Sequence, residues 1–173
     1  MTGFPDGISD PHVGGQTSRW PYTHWIALLL LGTLMALAVS GVLGGGKNDV
    51  LTAQGNVAAL RIDTPQILRS GEFFEVHIDV DARQPIAEPT IAIATPYWRN
   101  LTINTMVPAP AEESGTDGAF TFSYDALEAG DHLRLKFDGQ VNPTLRGGNR
   151  GWIELRDGET PLLRIPLRLK VLP

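Results

Sequence analysis

The sequence predicts an all-β fold: an antiparallel sandwich of about seven or eight strands, preceded by a single N-terminal transmembrane helix. Three observations carry this. Trp25–Leu43 (WIALLLLGTLMALAVSGVL) runs for 19 residues without a charge. From Val57 onward, apolar and polar residues alternate with the period of a half-buried strand. After Leu43 no stretch carries an amphipathic helical pattern, which removes the crossovers that a parallel α/β sheet needs.

The boundaries follow from these shifts in pattern. Residues 1–24 form a tail, 25–43 the membrane helix, 44–56 a linker, and 57–173 an extracytoplasmic sandwich domain. The tail holds four Gly and three Pro with no apolar periodicity, so it does not fold alone; Phe4-Pro5 is its one candidate anchor onto a partner.

At about 1.5 Å of rise per residue the apolar segment reaches roughly 28 Å, close to the hydrocarbon thickness of a bilayer. Trp20, Tyr22 and Trp25 gather at its start, where amphipathic rings favour the headgroup layer. Gly44, Gly45 and Gly46 form its exit. Ala36-Leu37-Ala38 and Ala38-Val39-Ser40 also offer the small residues of a signal-peptidase site. The stretch ahead of the segment is long and poor in positive charge for a signal peptide, so a retained anchor is the expectation. Arg19 on one side and Lys47 with Arg61 on the other nearly balance. The N-terminus is placed in the cytoplasm and the sandwich outside (in the periplasm of a Gram-negative cell), because cytoplasmic single-span sandwiches are the rarer arrangement.

Each strand has its own signature. Val57–Ile62 opens the domain. In Glu72–Val80 (EFFEVHIDV), Phe74, Val76, Ile78 and Val80 face one way and Glu75, His77 and Asp79 the other. Thr90–Thr95, Asn100–Met106, the alternating Phe120, Phe122 and Tyr124, and His132–Phe137 repeat the pattern. Trp152–Arg156 and Leu163–Leu172 form a closing hairpin through Asp157-Gly158, residues that tolerate positive φ. Its apolar face is Leu163, Ile165, Leu167, Leu169 and Val171. Arg164, Arg168 and Lys170 form the opposite face, which is either wet or meets something acidic.

Composition limits function. With 14 Lys+Arg against 19 Asp+Glu the chain is mildly acidic, which argues against nucleic-acid binding. Lys47–Leu133 holds 5 basic and 13 acidic residues, a net of −8, and Arg134–Pro173 holds 8 basic and 4 acidic, a net of +4. Either the two surfaces differ in sign or a sheet interleaves the charges. Cysteine is absent, which excludes disulfides, thiolate metal sites, Cys nucleophiles and lipoprotein acylation.

The stretch Tyr124–Leu135 (YDALEAGDHLRL) resembles the link between late strands of immunoglobulin-like and related bacterial sandwich domains, with Leu127-x-x-Gly130-Asp131 as the turn before a central strand. The resemblance implies an immunoglobulin-like sandwich and no particular function, and the Cys…Trp…Cys framework of true immunoglobulin domains is missing.

No catalytic constellation emerges. A G-x-S-x-G elbow is absent, and His77 on a polar strand face reads as a solvated histidine. His77, His132 and Met106 could form a soft-metal site only if the fold gathered them. Asp79, Asp81 and Glu88 lack the glycine and ligand spacing of a calcium loop. Asn100-Leu101-Thr102 is a short glycosylation sequon, and no strand–Gly-loop–helix unit cradles a phosphate. No enzyme, metal or cofactor is therefore expected.

Contact surfaces are the better candidates. Tyr97, Trp98 and Arg99 bring hot-spot residue types to a turn, with the alternative that Trp98 folds back to cap the core. Gly139–Gly151 reads as a long Gly-rich loop carrying Arg146 and Arg150, and Val107–Gly118 as a solvated acidic excursion. Gly32, Ala36, Ser40 and Gly44 recur every four residues along the helix, a stripe that permits close helix packing. The expectation is a non-catalytic accessory subunit whose partners are an integral membrane protein complex and the bilayer. The alternative is a membrane-tethered module binding a small solute, glycan or metal.

Overall fold

A computed structural model describes residues 23–42, 48–116 and 118–173. The expectations for Phe4-Pro5, Trp20, Tyr22 and Gly44–Gly46 fall outside the described residues.

Helix α1 spans Thr23–Val39, 17 residues rich in Leu and Ala, which lose little side-chain freedom in a helix. It stops where Gly41 turns to φ 75° and its N–H bonds Ala38 O at 3.3 Å, a left-handed C-terminal stop. Leu29, Leu30 and Leu31 are consecutive, so they point to different sides of the helix, and they are 70%, 68% and 55% exposed. Among the described residues no helix is long and apolar enough to cross a membrane.

The remaining chain is an all-β sandwich. Its strands are β1 (Asp49–Gln54), β2 (Ala58–Thr64), β3 (Ile67–Arg69), β4 (Phe73–Ala82) and β5 (Pro89–Ala94); then, after the one-turn helix α2 (Thr95–Trp98), β6 (Leu101–Val107), β7 (Glu112–Thr116), β8 (Ala119–Ser123), β9 (His132–Val141), β10 (Asn149–Asp157) and β11 (Thr160–Leu172). One sheet has the order β1-β2-β4-β9-β6 and the other β3-β11-β10-β5-β8-β7. Every pairing is antiparallel except that of β3 with β11.

The alternation read from the sequence fixes the faces. Val76, Ile78 and Val80 on β4, Leu135 and Phe137 on β9, Ile91 and Ile93 on β5 and Ile153 and Leu155 on β10 are buried, as are Ile165, Leu167, Leu169 and Val171 on β11. Ile78 and Leu135 stand directly opposite each other at full burial. The Leu127–Asp131 turn docks as the sequence suggests: Leu127 bridges Ile86, Gly130 adopts φ 99°, and Asp131 Oδ2 accepts from the Glu128 N–H at 2.9 Å.

Several boundaries differ from the sequence expectation. β1 lies inside the stretch read as linker; its six residues alternate only through Leu51 and Ala53, too short a pattern to stand out. β7 occupies part of Val107–Gly118, read as an excursion, because backbone pairing with β8 suffices to hold an edge strand without an apolar face. The two ends of Gly139–Gly151 are strand, which narrows the loop between β9 and β10 to residues 142–148. Gly139 serves there because a Cβ would lie 2.6 Å from Phe74 and 2.9 Å from the Thr102 carbonyl oxygen. The hairpin turn falls one residue later than expected: Asp157 pairs Thr160, and Gly158 takes φ 56° at the first central position, as a II′ turn requires.

Candidate functional site

The two loops singled out by sequence meet at one end of the sandwich. Asn149, the first residue of β10, is buried, and its side-chain amide donates to the backbone oxygens of Tyr97 (2.9 Å) and Arg99. α2 is thereby tied to the β9–β10 loop. Gly151 permits the approach, since a Cβ there would lie 2.6 Å from Tyr97 Cβ and 2.9 Å from Ala94 Cβ. Asn149 was not singled out from sequence; a lone polar residue in a Gly-rich run carries no such signal.

The predicted contact residues separate on this scaffold. Tyr97 is buried, and burial pushes its phenol above the ordinary value. Trp98 is half-buried and packs on Phe137, Phe122 and Phe120 at centroid distances of 5.5, 6.2 and 6.5 Å, so it caps the core. Arg99, Arg146 and Arg150 are exposed. On α1, Gly32 has open space around it, Ala36 is exposed, and Ser40 lies just past the helix end with its Oγ donating to Leu37 O at 2.7 Å.

Beside Trp98 the seam between the sheets is open. β6 and β7 are edge strands of opposite sheets, and between them lies a cleft of about 540 Å³ lined by Trp98, Ile103, Met106, Phe120 and Phe122, with Glu113 its one charged lining residue among the described residues. Phe120 is 37% exposed there. Tyr124 OH donates to Met106 Sδ at 3.3 Å; burial, then the Glu113 charge, push its phenol up to about 12.

The outer face of the first sheet interleaves its charges. Asp79 meets Arg134 at 2.8 Å and Arg61 at 4.0 Å, and Asp81 meets His132. Glu75 and Asp138 stand directly opposite across β4 and β9, and Lys136 bridges them at 2.8 and 3.4 Å. The hydrogen bond to Glu75 is the main cause raising Lys136, and a Thr105 hydrogen bond of 2.9 Å the main cause lowering Asp138. His77 pairs with Glu75 at 2.9 Å on this face. Met106 lines the cleft instead, so the fold does not gather the His77, His132 and Met106 set. Among the described residues no group of three or more His, Asp or Glu side chains is placed to hold a metal ion.

The second sheet's outer face is different in character. Glu154, 2% exposed, accepts from Arg156 Nε at 2.6 Å and from Arg164 Nε, while Arg164 also lies 4.3 Å over the Trp152 ring. Farther along, Arg150 stands directly opposite Arg168. The net positive charge of the C-terminal part of the chain is concentrated here.

No family model matches the chain, and no curated protein matches it. Among solved structures it is similar to the chitin-binding domain of a hyperthermophilic chitinase from Pyrococcus furiosus, at 12% identity and a TM-score of 0.42 over 64% of this chain and 97% of that one. It is also similar to a non-cellulosomal cohesin from Archaeoglobus fulgidus, at 10% identity and a TM-score of 0.39 over 73% and 92% of the two chains. Likeness at this level carries nothing about ligand or activity.

Proposed function

We propose that the protein is a non-catalytic, membrane-anchored accessory subunit. Its N-terminal segment sits in the bilayer beside a larger membrane protein complex, possessing a stripe of small residues for close packing. Its immunoglobulin-like sandwich docks on the extracytoplasmic side, with the N-terminus in the cytoplasm. The observation that carries this is α1: apolar on every side, uncharged and exposed all round, a surface that is stable only out of water. The described helix ends at Val39, but the uncharged sequence continues to Leu43.

The test is purification of the tagged full-length chain from its native membrane in gentle detergent, with mass spectrometry of what accompanies it. Stoichiometric membrane proteins are expected. Replacing Gly32 and Ala36 with Leu should deplete them severalfold, and since Gly32 has free space around it, the helix itself should tolerate the change. A solitary protein would overturn the proposal.

The cleft favours a second reading, a tethered ligand-binding module. Its volume and aromatic lining suit a small apolar ligand. A raised unfolding temperature with such a ligand, in a protein that purifies alone, would select this reading.

A further inference from the structure

The outer corner of the second sheet, where β3, β11 and β10 run side by side, forms a concavity of about 580 Å³. Arg150, Arg168 and Lys170 line it together with Gly147, Gly148 and Gln66, and among the described residues no acidic side chain does. Arg150 and Arg168 are directly opposed across β10 and β11. Like charges in that position repel. The molecule meets the same problem elsewhere and solves it: the opposed Glu75 and Asp138 are bridged by Lys136. At the Arg150–Arg168 pair no described residue supplies a bridging counter-charge. None of Arg150, Arg168 and Lys170 makes an ion pair or side-chain hydrogen bond among the described residues, although Glu154 on the same face takes two arginines.

The concavity is held in shape. Gly147 and Gly148 adopt φ 80° and 113°, and a Cβ on Gly148 would fall 1.8 Å from Leu169 O, so the loop lies flat on β11. The next residue, Asn149, is tied to α2 through its side-chain amide. Arg150 is thus presented from a fixed backbone.

We propose that this concavity binds a phosphate monoester group. Two guanidiniums and one ammonium offer planar, paired donors and a summed charge that suits a dianion with three terminal oxygens better than a carboxylate with two. The group comes either from a soluble phosphorylated ligand or from a lipid headgroup. The site does not depend on the accessory-subunit reading.

The experiment is NMR titration of the full-length chain in detergent with inorganic phosphate, following the Arg150 and Arg168 Nε–H signals and the Gly147 and Gly148 amides, with acetate as control. Saturable shifts with phosphate are expected, weakened about tenfold by Arg168→Gln or Arg150→Gln and untouched by Arg134→Gln on the other sheet. Phosphate should also raise the unfolding temperature of the parent chain and not of the variants. Arg168→Gln relieves repulsion, so it should unfold no earlier than the parent without phosphate. Binding to phosphatidic acid vesicles above phosphatidylcholine vesicles, lost in Arg168→Gln, identifies a lipid source; binding of inorganic phosphate alone identifies a soluble one. No response to either probe, equal response to acetate, or binding that survives both substitutions overturns the proposal.

Discussion

At the scale of single residues, Glu154 shows how a charge becomes structural. Its carboxylate is almost wholly covered, and Arg156 and Arg164, both lying over the Trp152 ring, stand in for the lost water. Removing one partner of such a cluster is harmful because the others keep their charges without the compensation. Glu154→Ala should cost about 2 kcal/mol, below the fully buried range because Arg164 is more than half exposed and recovers hydration. Glu154→Gln keeps one acceptor and should cost less; urea unfolding midpoints of the two variants check the order. The alternation of Trp152–Arg156 places Glu154 on the outer face, and that much is legible in sequence. Its pairing with Arg164 is not, because a bulge between Leu155 and Arg156 shifts the hairpin register, and no residue pattern announces the extra residue.

At the scale of elements, α2 shows that hot-spot residue types also serve a core. Tyr, Trp and Arg are enriched at interfaces because they bury large surfaces, and the same property lets them close a sandwich end. One helical turn sends Tyr97 into the core and lays Trp98 on three phenylalanines, leaving Arg99 outside. Trp98→Ala should therefore lower stability by about 2 kcal/mol, less than for a fully buried Trp because Trp98 is half-covered. Arg99→Ala should change it by about 0.5 kcal/mol or less. Thermal and urea unfolding measure both. Equal, negligible losses would return Trp98 to the surface. Long alternating strands such as β4, β9 and β11 were readable because burial of one face imposes the period. Short elements such as β3 and β7 were not, since their place depends on a neighbouring strand's free edge and not on their own side chains.

At the scale of the whole molecule, the sandwich is self-sufficient in its core. The buried cluster runs from Ala58 to Val171, with Leu51 and Ala53 of β1 packed against it. β1 covers one edge of β2 through six register pairs, and the turn between them is fastened by Arg83, whose N–H bonds Val57 O at 2.7 Å and whose guanidinium bonds Gly55 O at 2.9 Å. This makes the position of an N-terminal cut decisive. A chain starting at Lys47 should lose the need for detergent and keep the same β-sheet circular dichroism and unfolding midpoint as the full chain. A chain starting at Val57, where alternation becomes obvious in sequence, should lose the partner strand of β2 and expose its unpaired N–H and C=O groups. Free edges of that kind template association, so it should unfold earlier and form concentration-dependent oligomers in analytical ultracentrifugation. Were the two truncations equally stable and monomeric, β1 would be an ornament on the sheet and not its edge guard.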